Sequence, residues 1–456
     1  MATDLRLVAT VLCFVCTVSK FTTASPLAFL YVDPPAEAGE RMSVLSEAER
    51  RGALCVQVHS SAIADMLCRD AGEADDAVVK RVRANEVPPA GEELGWAKMV
   101  LPRDVSFAGV LCGTDGGLAD AERMLHALVP ERSNGVLPAR RDKFLANEAL
   151  RAAGLAVVQQ TSPGSWAAAE AFLRTLPQPP LRAVVKPRRG QASVMVGLAR
   201  SLEQARHMFD RLQASKVSLD ARGGGEVVVQ ELLVGEEFVV DVVSRAGEHK
   251  AVALWRYSKG ERNGAPFVYD YDQLMPCAGP KERALVEYAF ATLDALGWQW
   301  GPAHIELMST VDGPRLIEVN AGRLNGCDGH GGMFLVRACG GVPQLEAYLD
   351  ALFDEAAWNA LPRAPASALL GAARLVKLIS PVQGRLKRLH DEPLEGLPSL
   401  IRVEYEASEP GEYVALTIDL ATCAGYALLL HADEAQVERD YQVLRQAQAT
   451  LFEVED

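Results

Sequence analysis

The sequence predicts a multidomain protein that combines α/β and α+β architecture, and three observations support this prediction. The chain has 456 residues, and domains commonly hold about 150 residues each, so about three domains are expected. In the first third, short apolar runs alternate with helical stretches, which is typical of parallel α/β units. The last 90 or so residues alternate short strands with glycine turns and end in a helix from Glu434, as in a small α+β domain.

We predict an N-terminal parallel α/β domain over residues 26–138. Its strands are expected where short apolar runs end at turn residues, and its helices where polar, alanine-rich stretches follow them. The predicted strands are residues 27–32, 53–58 and 105–112, and the predicted helices are 39–51 and 118–128.

A central domain of two subdomains is predicted over residues 139–362, with the smaller subdomain at about 155–235. A proline-containing linker at 362–365 then leads to the C-terminal α+β domain at 366–456. The expected central helices are 140–153, 201–213 and 284–296, and the expected strands are 183–185, 227–229, 238–243, 304–308 and 315–319.

Composition and charge narrow the function before any motif is considered. Apolar residues make up 49% of the chain and charged residues 23%, which is ordinary for a globular protein. The net charge of −14 gives no general attraction to a phosphate backbone, so nucleic acid is not an expected partner. The nine cysteines are odd in number and irregularly spaced, which indicates thiols in a reducing compartment.

The first 25 residues form a leader that we leave unassigned. Residues 7–18 are apolar, but this run is shorter than the ~20 residues that span a bilayer. It is compatible with a signal peptide, a targeting segment or an extra strand. We favour the cytoplasm, because the cysteines fit a reducing compartment and the chain has no N-x-S/T glycosylation acceptor. We expect no membrane partner, because no other run is long enough to cross a bilayer.

Acidic and amide side chains mark two neighbouring strands in the central domain. Glu306 lies in HIEL, and Glu318 and Asn320 lie in LIEVNAG. Glu318 and Asn320 are two residues apart, so they project to the same side of a strand. The hairpin-like turn between the strands brings Glu306 beside them. Two carboxylates and an amide oxygen suit Mg²⁺; the alternative is a set of solvated side chains on an exposed sheet face.

Lysines and a glutamate-rich segment add to this pattern. Lys186 ends an apolar strand before a glycine-containing loop, where an ammonium and loop amides can neutralise phosphate. Lys143 opens the first central helix, and for either lysine a surface position is the alternative. The segment VVVQELLVGEEF can present its backbone to an adenine edge and a carboxylate to a ribose, although by itself it also fits an acidic hairpin.

In order, these motifs resemble the ATP-grasp superfamily, and most closely its carboxylate–amine ligase branch, which includes the L-amino acid ligases. The resemblance spans about residues 105–332. The matching stretches are FAGVLCGTD, RRDKFLANEALRAAGL, VVKPRRGQASVMVG, VVVQELLVGEEFVVDVVS and LDALGWQWGPAHIELMSTVDGPRLIEVNAGRLNG. Each motif alone is weak, but five in this order are specific.

The resemblance implies a central ATP-grasp fold in which two subdomains clasp ATP. Lys143 and Lys186 would contact phosphates, and Ser193 would lie in a loop over them, at residues 188–193. Glu306, Glu318 and Asn320 would hold Mg²⁺, with Mn²⁺ as a substitute. The adenine and ribose contacts would come from Gln230, Glu231, Leu232, Leu233 and Glu237.

The same resemblance implies an ATP-dependent ligase that forms an amide or peptide bond through an acyl phosphate and releases ADP and phosphate. Its substrates would be a small carboxylate and an amine, with two amino acids favoured, and a homodimer is left open. Lys186 and Arg323 would be the catalytic residues, with Arg323 on the transferred phosphoryl or the acyl phosphate. The alternatives are a carboxylase or nucleotide-biosynthesis activity of the same superfamily, and a catalytically silent ATP-binding scaffold or regulator.

One departure from the family pattern concerns Arg323. The family usually spaces its last motif as E-x-N-x-R, whereas this chain has one residue more before the arginine, at Gly322. We expect Gly322 to absorb the extra residue as a bulge; otherwise Arg323 points elsewhere. His304 is a base, a substrate contact or a structural residue of its strand. Candidate substrate contacts near the site are Trp255, Arg256, Tyr257, Lys259 and Trp300.

Overall fold

The computed structural model describes residues 27–34, 38–71, 76–177, 179–190, 194–215, 226–325 and 331–455. The predicted leader and Ser193 lie outside these ranges. Within them, no helix combines the length and the apolar character needed to cross a bilayer.

The N-terminal unit is built on a three-stranded parallel sheet, as predicted. Its central strand, LAFLYV, is almost wholly buried, because parallel strands are covered on both faces. The strand order is β2-β1-β3. The elements are β1 (Leu27–Val32), α1 (Ala38–Arg50), β2 (Leu54–Val58), α2 (Ser61–Ala71), α3 (Asp76–Ala84), α4 (Glu93–Val100), β3 (Ser106–Cys112) and α5 (Leu118–Leu128).

A small antiparallel sheet with the order β4-β7-β5-β6 forms the predicted smaller subdomain, called the lid below. Its long helix is amphipathic: Ala205, Phe209 and Leu212 are buried at helical spacing, and the side chain of Ser201 accepts from the Gln204 amide to begin it. The elements are α6 (Lys143–Ala152), which precedes the lid, then β4 (Gln160–Thr161), α7 (Trp166–Leu173), β5 (Ala183–Pro187), β6 (Gly197–Ala199), α8 (Leu202–Ala214) and β7 (Val227–Glu231).

The rest of the chain is organised around one eight-stranded sheet, whose order is β12-β11-β8-β9-β10-β13-β17-β15. Its central-domain elements are β8 (Glu236–Arg245), β9 (Glu248–Arg262), β10 (Ala265–Leu274), α9 (Pro280–Ala295), β11 (Gly301–Thr310), β12 (Gly313–Ala321), α10 (Met333–Ala338), α11 (Gln344–Phe353) and α12 (Glu355–Ala360). The C-terminal elements are β13 (Ala372–Lys377), β14 (Gly384–Leu389), β15 (Leu400–Tyr405), β16 (Tyr413–Val414), β17 (Gly425–His431), α13 (Glu434–Ala447) and β18 (Phe452–Val454).

The linker predicted at residues 362–365 does not separate two sheets. Strand β13, which follows it, pairs with β10 of the central domain, and β17 pairs with β13. The C-terminal segment therefore completes the large sheet and adds a small sheet of its own, β16-β14-β18. The domain limits stay a prediction, and strands β13, β17 and β15 of the third unit continue the sheet of the central domain.

Alternation along the strands of the large sheet separates a core face from a site face. Phe238, Val240, Ile305 and Leu307 are fully buried in a core that includes α9, and burying each such side chain stabilises the fold by about 1.5–3 kcal/mol. Because neighbouring residues of a strand point to opposite faces, Glu306 points away from this core. The face that it occupies is covered by the lid.

Candidate active site

A cleft of about 890 Å³ lies between the lid and the large sheet. It is lined by residues from α6, β5, the segment after β7, and strands β8 to β12. Nearly all the residues predicted to bind nucleotide or metal meet here: Lys143, Lys186, Gln230, Glu231, Leu232, Leu233, Glu237, Glu306 and Glu318.

The two carboxylates predicted to bind metal are direct neighbours. Glu306 lies opposite Glu318 in the register of β11 and β12, and the Asn320 side-chain amide donates to Glu306 Oε1 at 3.4 Å. Burial raises the pKa of Glu306 to about 7; Lys259 opposes this shift, whereas the charge of Glu318 adds to it.

This donor set fits a divalent cation. The two side chains are acidic, adjacent and partly desolvated, so a cation placed between them would offset both the burial and the repulsion. Carboxylate and amide oxygens are the ligands preferred by Mg²⁺. In the described part of the chain no cluster of three or more His, Cys, Asp or Glu side chains has the geometry of a metal site, so any cation here would rely on two carboxylates, an amide and its ligand's own oxygens.

The two predicted phosphate-binding lysines occupy the same end of the cleft. The Lys143 ammonium lies 2.6 Å from Glu318 Oε1 and donates to the Gly190 carbonyl at 2.7 Å. Lys186 is 6% exposed, and burial, followed by the nearby charge of Lys143, lowers its pKa to about 8. An anion bound between these ammonium groups would relieve that repulsion, which is the electrostatic signature of a phosphate site.

The predicted adenine-side segment is held by backbone bonds at its start. The amide of Glu231 donates to the Gln159 carbonyl, and the amide of Leu232 donates to the Arg182 carbonyl. Gln230 donates from its side chain to Gln160 at 2.9 Å. These bonds fix the strand end, and the amides of Glu231 and Leu232 are engaged within the lid rather than with the cleft.

Lys259 is a cleft residue that sequence reasoning assigned only to the broad group of substrate contacts. Its ammonium lies 2.6 Å from Glu237 Oε1 and 4.0 Å from the centre of the Tyr269 ring. Strands β9 and β10 are not among the predicted strands, and their pairing brings Lys259 beside Tyr269. Of the other candidates in that group, Trp255 is fully buried in the core, and Trp300 stacks against Arg132 outside the cleft.

Arg323 is turned toward the N-terminal unit. Gly322 has a φ of +97°, which favours glycine, and the Cys112 amide donates to its carbonyl at 3.4 Å. The extra residue thus lies in a glycine turn directly after β12. The Arg323 Nη1 group then donates to Asp115 Oδ1 at 2.7 Å, and Arg323 is not among the residues that line the cleft.

Charge around Arg323 is strongly coupled. The guanidinium lowers the pKa of the Asp115 carboxyl although burial acts in the opposite direction. Burial, followed by the charge of Arg323, lowers the pKa of His304 to about 3. His304 is therefore a neutral imidazole at physiological pH.

Comparisons with known proteins agree with this geometry. Residues 180–330 match the family model for the ATP-grasp domain. Dapdiamide A synthase of Enterobacter agglomerans is 28% identical over 350 residues, which cover 76% of this chain and 80% of that protein. Phosphoribosylamine–glycine ligase of Methanothermobacter thermautotrophicus is 34% identical over a shorter stretch, 25% of this chain and 30% of the relative.

Solved structures show the same fold over nearly the whole chain. The L-amino acid ligase from Bacillus licheniformis superposes with a TM-score of 0.66 at 16% identity, covering 95% of this chain and all of that one. Phosphoribosylglycinamide synthetase from Anaerococcus prevotii superposes with a TM-score of 0.58 at 12% identity and covers 94% of this chain. Together these comparisons show that the chain has the fold of these ligases, contains a match to the ATP-grasp domain at residues 180–330, and is similar in sequence to dapdiamide A synthase.

Proposed function

We propose that the protein joins the carboxylate of one amino acid to the amine of a second amino acid, or of another small amine, at the expense of ATP. The observation that supports this most directly is the cleft in which the Glu306–Glu318 pair faces Lys143 and Lys186. The similarity to dapdiamide A synthase over most of both chains favours an amide-forming reaction with small substrates.

In this proposal the chain's own residues prepare a phosphoryl transfer. A free carboxylate is a poor acyl donor, and phosphorylation by ATP makes it an acyl phosphate that an amine can attack with loss of phosphate. Lys143 and Lys186 hold the phosphates, and Glu237 with Lys259 faces the ribose. Enclosure between the lid and the large sheet orients the reactants and excludes water.

We further propose Mg²⁺ as the cation held by Glu306, Glu318 and Asn320, with Mn²⁺ as a substitute. Bound there, it would withdraw charge from the phosphoryl oxygens during transfer. Because the amine substrate itself attacks the acyl phosphate, no nucleophilic side chain is needed. The Ser244–His249–Asp294 contacts therefore have no role in the reaction, and Ser244 is fully buried.

Arg323 and Asp115 are proposed as the substrate-side charges. Their side chains are about one-fifth exposed, and they lie where the loop after β3 meets the end of β12. A guanidinium next to a carboxylate matches the carboxylate and ammonium of an amino acid. Arg323 would then meet the acyl phosphate when substrate replaces part of its bond with Asp115.

Cellular context and assembly stay predictions. The cysteines in the described ranges, Cys55, Cys68, Cys112, Cys277, Cys339 and Cys423, are all free thiols, which supports a reducing compartment such as the cytoplasm. A homodimer is the assembly that we would test first, by light scattering at several protein concentrations.

The decisive experiment measures ATP-dependent phosphate release and product mass across pairs of amino acids. Release should require a particular pair and a divalent cation. Glu318→Gln, which removes one metal-binding charge, should lower kcat by at least about 100-fold, in line with the loss of a key electrostatic group. Asp312→Asn, an exposed position in the turn of the same hairpin, should have wild-type activity.

Three outcomes would contradict the proposal. Release that needs no amine would indicate an ATPase, and release that requires bicarbonate would indicate a carboxylase. ATP binding without turnover for any pair would support the silent scaffold.

A further inference from the structure

We propose that Asp142 is a positioning residue that sets the distance between the two phosphate-binding lysines. This inference rests on the proposed function, because it concerns the ATP-binding half of the reaction. It extends that function to a carboxylate that neither lines the cleft nor belongs to the metal set.

Asp142 joins the lid to the core at the phosphate end of the cleft. Its carboxylate is fully buried and receives the Arg188 guanidinium, with Nη2 at 2.6 Å from Oδ2 and Nε at 2.9 Å from the same atom. Arg188 follows directly after β5 in the lid, whereas Asp142 precedes α6. Charge-assisted contacts in this two-pronged geometry are strong and directional.

The same carboxylate begins α6. Its Oδ1 atom accepts from the amides of Phe144 and Leu145, each at 3.0 Å, as an N-cap residue does. One buried side chain therefore fixes both the first turn of α6 and the start of the loop that follows β5.

The two lysines are the immediate neighbours of this link. Lys143 is the next residue after Asp142, and its amide donates to the Arg188 carbonyl at 2.9 Å. Lys186 lies two residues before Arg188, on β5. Because the like charges of Lys143 and Lys186 repel each other, a link between their two segments helps to keep both ammonium groups facing one site. The Asp142–Arg188 pair is placed to supply it.

A second partner of Arg188 provides a matched control. Glu226 lies 3.2 Å from Arg188 Nη1 and is largely exposed. It belongs to the lid, next to β7, so its contact with Arg188 stays within the lid and does not reach the core. Removing Glu226 takes one carboxylate from the same arginine without breaking the connection between the subdomains.

The test separates the ion pair from the helix cap. Asp142→Ser keeps a good N-cap but loses the charge that binds Arg188, and Arg188→Gln loses the same pair while leaving the cap intact. We expect each variant to raise the dissociation constant for Mg·ATP about tenfold or more, a typical effect of losing a buried charge-assisted bond. Glu226→Gln should change it by about twofold or less.

Binding is measured by calorimetry on the full-length chain without amino acids, together with the thermal midpoint and KM against kcat. The double variant Asp142→Ser/Arg188→Gln should bind ATP no worse than the weaker single variant, because both changes break one link. Wild-type affinity in Asp142→Ser, or effects that multiply in the double variant, would overturn the inference. A wild-type chain that fails to bind Mg·ATP would instead overturn the proposed function.

Discussion

The ammonium of Lys143 lies next to the carboxylate pair of the cleft, where it offsets negative charge. It lies 2.6 Å from Glu318, in the position of a counter-ion for one of the carboxylates proposed to bind metal. In the proposed reaction the arrival of a cation and phosphates gives both groups new partners, so this ion pair would open. In this proposal Lys143 balances the charge of the carboxylates between turnovers, at the small net free energy typical of partly exposed ion pairs.

Lys186 provides a prediction on pH dependence. Its pKa is lowered to about 8, chiefly by burial, so the side chain is an ammonium below pH 8 and becomes a neutral amine above it. A neutral amine does not attract phosphate. The affinity of the free enzyme for ATP should therefore fall as the pH rises through about 8, by up to about tenfold per pH unit.

The control for this prediction is Lys186→Arg. A guanidinium stays charged throughout this pH range, so ATP affinity in the variant should be nearly flat between pH 7 and 9.5, whatever its absolute value. A profile that falls equally in the wild type and the variant would assign the transition to another group.

At the scale of elements, the turn that follows β12 requires a backbone conformation that favours glycine, at Gly322. A Cβ atom added to Gly322 would lie 3.1 Å from Leu118 Cδ2 and 3.6 Å from the Trp298 ring, at a φ of +97°. This turn therefore depends both on a glycine backbone and on the absence of a side chain. It also determines where the following arginine points.

Gly322→Ala should destabilise the protein by about 1–2 kcal/mol, the usual cost of forcing a side chain into left-handed backbone. Because the strain is relieved by moving Arg323, we expect kcat to fall more than the thermal midpoint would suggest. Gly95→Ala in α4, where an added Cβ meets open space, should leave kcat close to wild type and should not lower the thermal midpoint, because alanine favours a helix. Equal losses of kcat in the two variants would show that the conformation of Gly322 does not affect the active site.

The elements themselves differ in how far the sequence could predict them. Apolar runs such as LAFLYV and the hairpin around Gly313 are local signals, and the predicted strands and turn are confirmed. Strands β9 and β10 carry mixed polar and aromatic residues, because one face lines the cleft while the other packs on the core. No simple period marks such strands, so Lys259 could not be placed beside Glu237.

The site shows the same division between local and long-range information. Glu306 and Glu318 lie close together in the sequence, on the two strands of one hairpin, so their proximity could be predicted. The structure brings them together as predicted. The contact between Arg323 and Asp115 joins residues 208 positions apart, and its existence depends on how two units dock. The extra residue before Arg323 indicates that its direction could differ from the family pattern, but the sequence does not predict that direction.

At the scale of the whole molecule, the large sheet ties the C-terminal segment to the ATP-binding fold. Strand β13 continues the sheet from β10, with the buried side chains of Lys377 and Asp272 paired across the two strands. Arg374 of β13 also stacks on the Tyr271 ring of β10 at 4.3 Å. Through these contacts, the segment after the linker stabilises the large sheet.

A chain ended at residue 365 should therefore not fold cooperatively. It would lack β13, β17 and β15 and would leave β10 as a long open edge, which favours aggregation. Circular dichroism melting and size-exclusion chromatography would test this expectation. A soluble truncated chain with a sharp melting transition and unchanged ATP binding would show that residues 1–365 fold without the C-terminal segment.

The contact between Asp115 and Arg323 constrains how this protein can be re-engineered or diverge. Replacing the N-terminal unit by that of another protein would replace the loop with Asp115 that contacts Arg323. This would happen even if every proposed nucleotide contact were preserved. A chimera should thus be active only when the foreign N-terminal unit has an acidic residue at the position of Asp115. This one salt bridge would then decide which N-terminal units can be combined with the rest of the chain.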